Sequence, residues 1–208
     1  MYAFEAVVPA GVESQLHAAE KRRSLRQYRH EDRVGRLAAA LGRAVGLDPG
    51  HLATLRWAAG LHDIGKLIVP LAILDKPSAL DAGELALMRR HTEFGHAILR
   101  QANDAASTMA ADVALHHHEC WDGSGYPDGL KGEAISREAR LVTICDVYDA
   151  LREVRPYKPS LSHGHVMRIL LDGDPDWLPL KGKFDPLLLQ VFAANADAFR
   201  GVFEESPV

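Results

Sequence analysis

Apolar positions recur at helical spacing along nearly the whole chain, and no stretch shows a convincing alternation of period two. Val34, Leu37, Leu41 and Val45 fall on one side of a helix predicted over residues 14–46. A second helix starts near Asp48, a capping residue type, and carries Leu52, Leu55 and Ala58 before ending at Asp63. A third is predicted over 81–101, because Asp81 followed three residues later by Glu84 has the form of a capping box. Further helices are predicted over 105–118, 137–152, 162–171 and 186–203. Between the fourth and fifth lies a long Gly/Pro loop near 120–136, with turn formers packed densely from Asp122 to Gly129. A second loop joins Gly173 to Pro186. The pattern predicts an all-α fold: one compact multi-helix domain with about seven main helices.

Composition narrows the function classes. At 208 residues, 47% hydrophobic and 25% charged, the chain suits one globular domain with a well-buried core. A formal net charge of −4 offers no general surface for DNA, so an anionic ligand must be met by local cations or by metal. Cys120 and Cys145 cannot form a disulfide framework and are read as packing residues. No signal-like start and no run of about 18 apolar residues is present, so a cytoplasmic location without a membrane span is expected.

Histidine changes the picture most. There are 11, and three are consecutive at His116 to His118. His30 lies one turn before Val34, His62 one turn after Ala58, and His91 continues the face of Met88. One histidine on an apolar face is ordinarily a core residue. Several on separate helices, joined by the dyads His62-Asp63 and His117-His118, leave many imidazole nitrogens needing partners. A metal supplies them, since neutral imidazole with carboxylate suits iron, manganese, zinc or nickel. Asp146 is a further carboxylate candidate, with Asp149 three residues on along the same face. Two ions about 3.5–4 Å apart can activate a bridging water for in-line phosphoryl displacement.

The order of these residues resembles the HD-GYP family, a branch of the HD-domain metal phosphohydrolases that degrades cyclic di-GMP. The resemblance rests on His30 to Val34, Leu61 to Lys66 with Val69-Pro70, Leu74 to Pro77, and His91 to Gly95. It continues through His117-His118-Glu119, Trp121 to Pro127, Ala139-Arg140, Asp146 to Leu151, Arg155 to Lys158, and Phe184 to Pro186. It implies that His30, His62, His91, His117, His118 and Asp146 ligate metal and that Asp63 bridges two ions. It implies catalytic roles for Asp63 and Lys66, and substrate contacts from Lys66, Arg155 and Lys158. For Lys66 a helix-end cation complementing the dipole is the plainer alternative; for Arg155 and Lys158 it is ordinary surface charge. The loop of Gly125, Tyr126 and Pro127 borders the substrate site or faces partner proteins.

The expected activity is hydrolysis of cyclic di-GMP by a metal-bridging hydroxide, ending at linear pGpG or going on to GMP. The rivals are turnover of another nucleotide or cyclic dinucleotide, and a cyclic di-GMP-responsive interaction module with low turnover. Two divalent ions are expected, iron or manganese ahead of zinc and nickel. A third is not, because Arg26 stands where some family members have a glutamate and a guanidinium cannot ligate. Residues 1–29 are read as a short helical extension and 30–208 as the phosphohydrolase domain. The basic run at 21–29, with Lys21, Arg22, Arg23, Arg26 and Arg29, is either a solvated face or a docking surface for a separate regulatory protein or an anionic ligand.

Overall fold

A computed structural model of the protein describes residues 25–153, 160–173 and 180–205, with side chains from Gln27 onward. The start of the first predicted helix, Lys21, Arg22, Arg23, the Arg26 side chain, and both Arg155 and Lys158 lie outside the described residues. The all-α expectation is borne out, and there is no strand among the described residues.

Helix α1 (Leu25–Ala44) crosses the 29/30 boundary and presents Val34, Leu37, Ala38 and Leu41 to the core, all fully buried. Helix α2 (Pro49–Gly60) starts where Asp48 accepts hydrogen bonds from the N–H groups of Gly50 and His51 and proline occupies the first turn. A 3-10 turn (Ile64–Leu67) and the short α3 (Leu71–Leu74) follow. The capping box is present: Asp81 accepts from the Glu84 N–H, and the Glu84 side chain accepts from the Asp81 N–H.

The predicted helix over 81–101 divides into α4 (Ala82–Arg89) and α5 (His91–Leu99), meeting at Arg90. Side chains compete for the carbonyls at this joint. The His91 ring bonds the Met88 carbonyl at 2.8 Å, and the Thr92 hydroxyl donates to the Arg89 carbonyl at 3.1 Å. Helix α6 (Ala105–His116) is capped by Asp104, α7 (Arg137–Arg152) by Ser136, and α8 (His163–Asp172) by Ser162. The last predicted helix also divides, into α9 (Pro186–Ala194) and α10 (Ala196–Glu204), with Asn195 turning its amide back to the Val191 carbonyl.

Helix α1 packs against α2 and α7, and α2 against α6, which also pairs with α5. Leu55, Val113, Leu141, Ile144, Tyr148, Phe192 and Phe199 fill the space between them. The site lies where these helices converge.

Candidate metal centre

Five segments converge on one point. Helix α1 brings His30, the turn after α2 brings His62 and Asp63, and α5 opens with His91. His117 and His118 follow the end of α6, and Asp146 lies within α7. The approach of the 3-10 turn to α5 depends on Gly65. A Cβ there would overlap the His91 carbonyl oxygen and the Gly95 nitrogen, so glycine lets Asp63 and Lys66 sit against His91.

The ligating atoms fall into two groups, each with its members within 4.8 Å of one another: Asp63, His91, His117 and His118, and separately His30, His62 and Asp146. Asp63 faces both groups. Its Oδ1 is 3.3 Å from His91 Nε2 and 3.8 Å from His117 Nε2, while its Oδ2 is 3.5 Å from His62 Nε2 and 4.0 Å from His30 Nε2. Asp146 Oδ1 lies 3.2 Å from His30 Nε2 and 3.8 Å from His62 Nε2.

The rings are oriented by their other nitrogens. Nδ1 of His62 faces the Ala59 carbonyl at 2.7 Å, Nδ1 of His91 the Met88 carbonyl at 2.8 Å, and Nδ1 of His117 the Val113 and Ala114 carbonyls at 3.1 Å. A carbonyl only accepts, so each Nδ1 carries the proton and each Nε2 offers a lone pair inward. His62 Nε2 is buried and has no hydrogen-bond partner. Such an orphan costs free energy unless something fills it. A divalent ion fits this imidazole and carboxylate donor set.

Burial and charge act together here. Burial works to raise the Asp63 carboxyl, but Lys66 and then His62, His91 and His117 hold it well below the usual range. Burial depresses His117 strongly and brings His118 down to about 4, which keeps both rings neutral. Burial also opposes charge on His30, yet its hydrogen bonds to Asp146 and Asp149 raise it to about 10.

An HD-domain family model matches residues 12–178. The chain belongs to the HD-domain family. Within it, the chain is 42% identical over 129 residues to the cyclic di-GMP phosphodiesterase response regulator RpfG of Xanthomonas campestris, covering 62% of this chain and 34% of that protein. It is 34% identical over 193 residues to the 3'3'-cGAMP-specific phosphodiesterase 2 of Vibrio cholerae, covering 92% of this chain and 36% of that protein. The solved HD domain of the Listeria monocytogenes phosphodiesterase PgpH has the same fold, with a TM-score of 0.63 at 15% identity over 94% of this chain and all of that one. The chain thus spans about a third of the length of the curated relatives it matches.

This HD domain brings together every metal-ligand candidate named from the sequence. Lys66 is beside them, its ammonium bonded to Asp63 Oδ2 with its side chain 31% exposed. Tyr126 stacks on His118 with ring centroids 4.8 Å apart, and the Arg89 guanidinium lies 4.9 Å from the centroid of the same Tyr126 ring. Gly125 permits this approach, because a Cβ there would overlap backbone atoms of His118, Glu119 and Cys120. Cys145 is buried and Cys120 half-buried, and neither belongs to a ligand group. No described helix is long and apolar enough to cross a membrane.

Some supporting residues carried no separate signal in the sequence. Gln27 donates to Asp63 Oδ2 at 3.2 Å from one turn before His30. Arg33 binds both oxygens of Asp149, at 2.5 and 2.8 Å, and Asp149 in turn meets His30 Nδ1 at 2.7 Å. Glu119 is buried and accepts from the Asp128 and Gly129 N–H groups at 2.7 and 3.0 Å, tying down the loop that carries Tyr126. Arg33, Glu119 and Asp149 lie within the resembling segments, and Asp149 also on the Asp146 face, but nothing in the sequence pairs them with these partners.

Proposed function

We propose that this HD domain, in the HD-GYP branch, is a metal-dependent phosphodiesterase that opens cyclic di-GMP to linear pGpG and cuts on to GMP. The observation that carries the reading is Asp63, whose two oxygens face separate groups of imidazoles around an unpartnered His62 Nε2. His30, His62 and Asp146 would hold one divalent ion, and His91, His117 and His118 a second, with Asp63 shared. Iron or manganese suits the set. Bound ions would supply a nucleophilic water at neutral pH and offset charge on the phosphoryl oxygens.

The chain's own groups do the rest. Lys66 keeps its ammonium beside Asp63 and partly open to solvent, where it meets the scissile phosphate and the leaving oxygen. Tyr126 covers one face of His118 and limits water there. Arg155 and Lys158 provide a planar fork and a point charge for the guanine edges or the second phosphate. Relatives named as cyclic di-GMP phosphodiesterases support this substrate.

Purified protein loaded with manganese should convert cyclic di-GMP to pGpG, followed by chromatography of the nucleotides. Asp63→Ala should abolish turnover and lower the metal content while leaving the helical circular-dichroism spectrum. Full activity in that variant would sink the assignment. A second reading, specificity for 3'3'-cGAMP, is favoured by the relative that aligns over 92% of this chain. A panel of cyclic dinucleotides compared by kcat/KM separates the two.

A further inference from the structure

The histidines differ in what their Nδ1 atoms meet. His62, His91 and His117 turn Nδ1 to neutral backbone carbonyls. His30 turns it to a carboxylate, Asp149 Oδ2, at 2.7 Å. Asp149 is fully buried, and Arg33 donates to both its oxygens, Nε to Oδ1 and Nη2 to the same Oδ2 that meets His30. Arg33 also reaches Glu153 at 3.1 Å. A carboxylate with no exposure persists only when paired, and a forked guanidinium is the side chain that pairs both oxygens at once.

A carboxylate behind a ligating imidazole fixes its tautomer and raises its basicity more than a carbonyl does. We propose that Asp149, clamped by Arg33, is a positioning residue that holds His30 with Nδ1 protonated and Nε2 turned toward Asp146 and Asp63. It thereby sets the affinity of the ion at His30, His62 and Asp146 apart from that of the second ion. The inference rests on the two-ion reading above. The asymmetry is local, since Asp149 touches His30 and none of the second group's imidazoles among the described contacts.

Stepwise Mn(II) affinities, read by competition with a chromophoric chelator, test this in the whole chain. Asp149→Asn should weaken one ion by about 10–100-fold and leave the other unchanged. The double variant Arg33→Met, Asp149→Asn removes both buried charges together and should show the same selective loss. Equal weakening of both ions, or no weakening, would overturn the proposal. Parent protein that binds no Mn(II) would remove the two-ion reading itself, whereas two ions in the parent with unaltered variants would remove only the role of Asp149. Residue-assigned imidazole proton–nitrogen NMR of the Zn(II)-loaded parent needs no substitution. It should place a proton on His30 Nδ1, and a ring lacking that proton overturns the proposal even if both variants unfold.

Discussion

Lys66 stands at the boundary between the buried centre and solvent. Its ammonium bonds Asp63 Oδ2 while its side chain is part-exposed, so under the proposed function one cation would serve both that carboxylate and an arriving phosphate. Lys66→Met should lower kcat by about 10²–10³-fold, the usual effect of losing one donor to developing oxyanion charge. The metal content by elemental analysis should stay that of the parent, because Gln27 still holds Asp63. Loss of metal in step with loss of rate would reassign Lys66 to holding Asp63. The ligand candidates themselves were legible because histidine and aspartate are conspicuous in a helical pattern and sit in dyads. Arg33, Asp149 and Glu119 were not legible as a support system. Arg33 and Asp149 are 116 residues apart, and only the packing of α1 on α7 makes them partners.

The elements were read well where a local cap defines them. Helix α7 runs from Arg137 to Arg152, over the span predicted, and the Asp81–Glu84 box forms as its spacing requires. The breaks at Arg90 and Asn195 were missed because they depend on side chains taking carbonyls from the ladder, which hydrophobic period does not record. Tight contact between elements is equally silent in the pattern. Gly65→Ala should destabilise the fold by about 1–3 kcal/mol, as overpacking against the α5 backbone does, read as a lower urea midpoint. Caps also give a pH signature. The Asp104 carboxyl is held below its ordinary value by the Ser107 N–H and hydroxyl at the start of α6. A folded value below the unfolded one means its contribution is full above the carboxylate range and lost as pH falls through it. Asparagine caps as well as aspartate but does not titrate. Asp104→Asn should therefore match the parent in urea near pH 7 and lose less stability between pH 5 and pH 3, and equal acid losses would remove Asp104 from that account.

At the scale of the whole molecule, the centre is also a fastener. It joins α1, the turn after α2, α5, the end of α6 and α7, segments otherwise held by a shared apolar core. Without ions, that junction buries Asp63 and places imidazole nitrogens against one another. His91 Nε2 and His117 Nε2 are 3.4 Å apart, and both rings are neutral-favouring through burial. An ion that binds only the folded arrangement stabilises it by mass action, about 2.7 kcal/mol at a free concentration 100-fold above Kd. For a chain of this size each kcal/mol moves Tm by roughly 2–4 °C. Stripping the protein with a chelator should therefore lower Tm by about 5–10 °C for each ion lost, from the same two relations. Manganese added back should restore it. Asp63→Ala supplies the control, because a chain that has lost the shared carboxylate should melt at nearly the same temperature with and without chelator. If the parent showed no difference either, these imidazoles would not be gathering divalent ions, and the hydrolytic reading built on them would fall with that result.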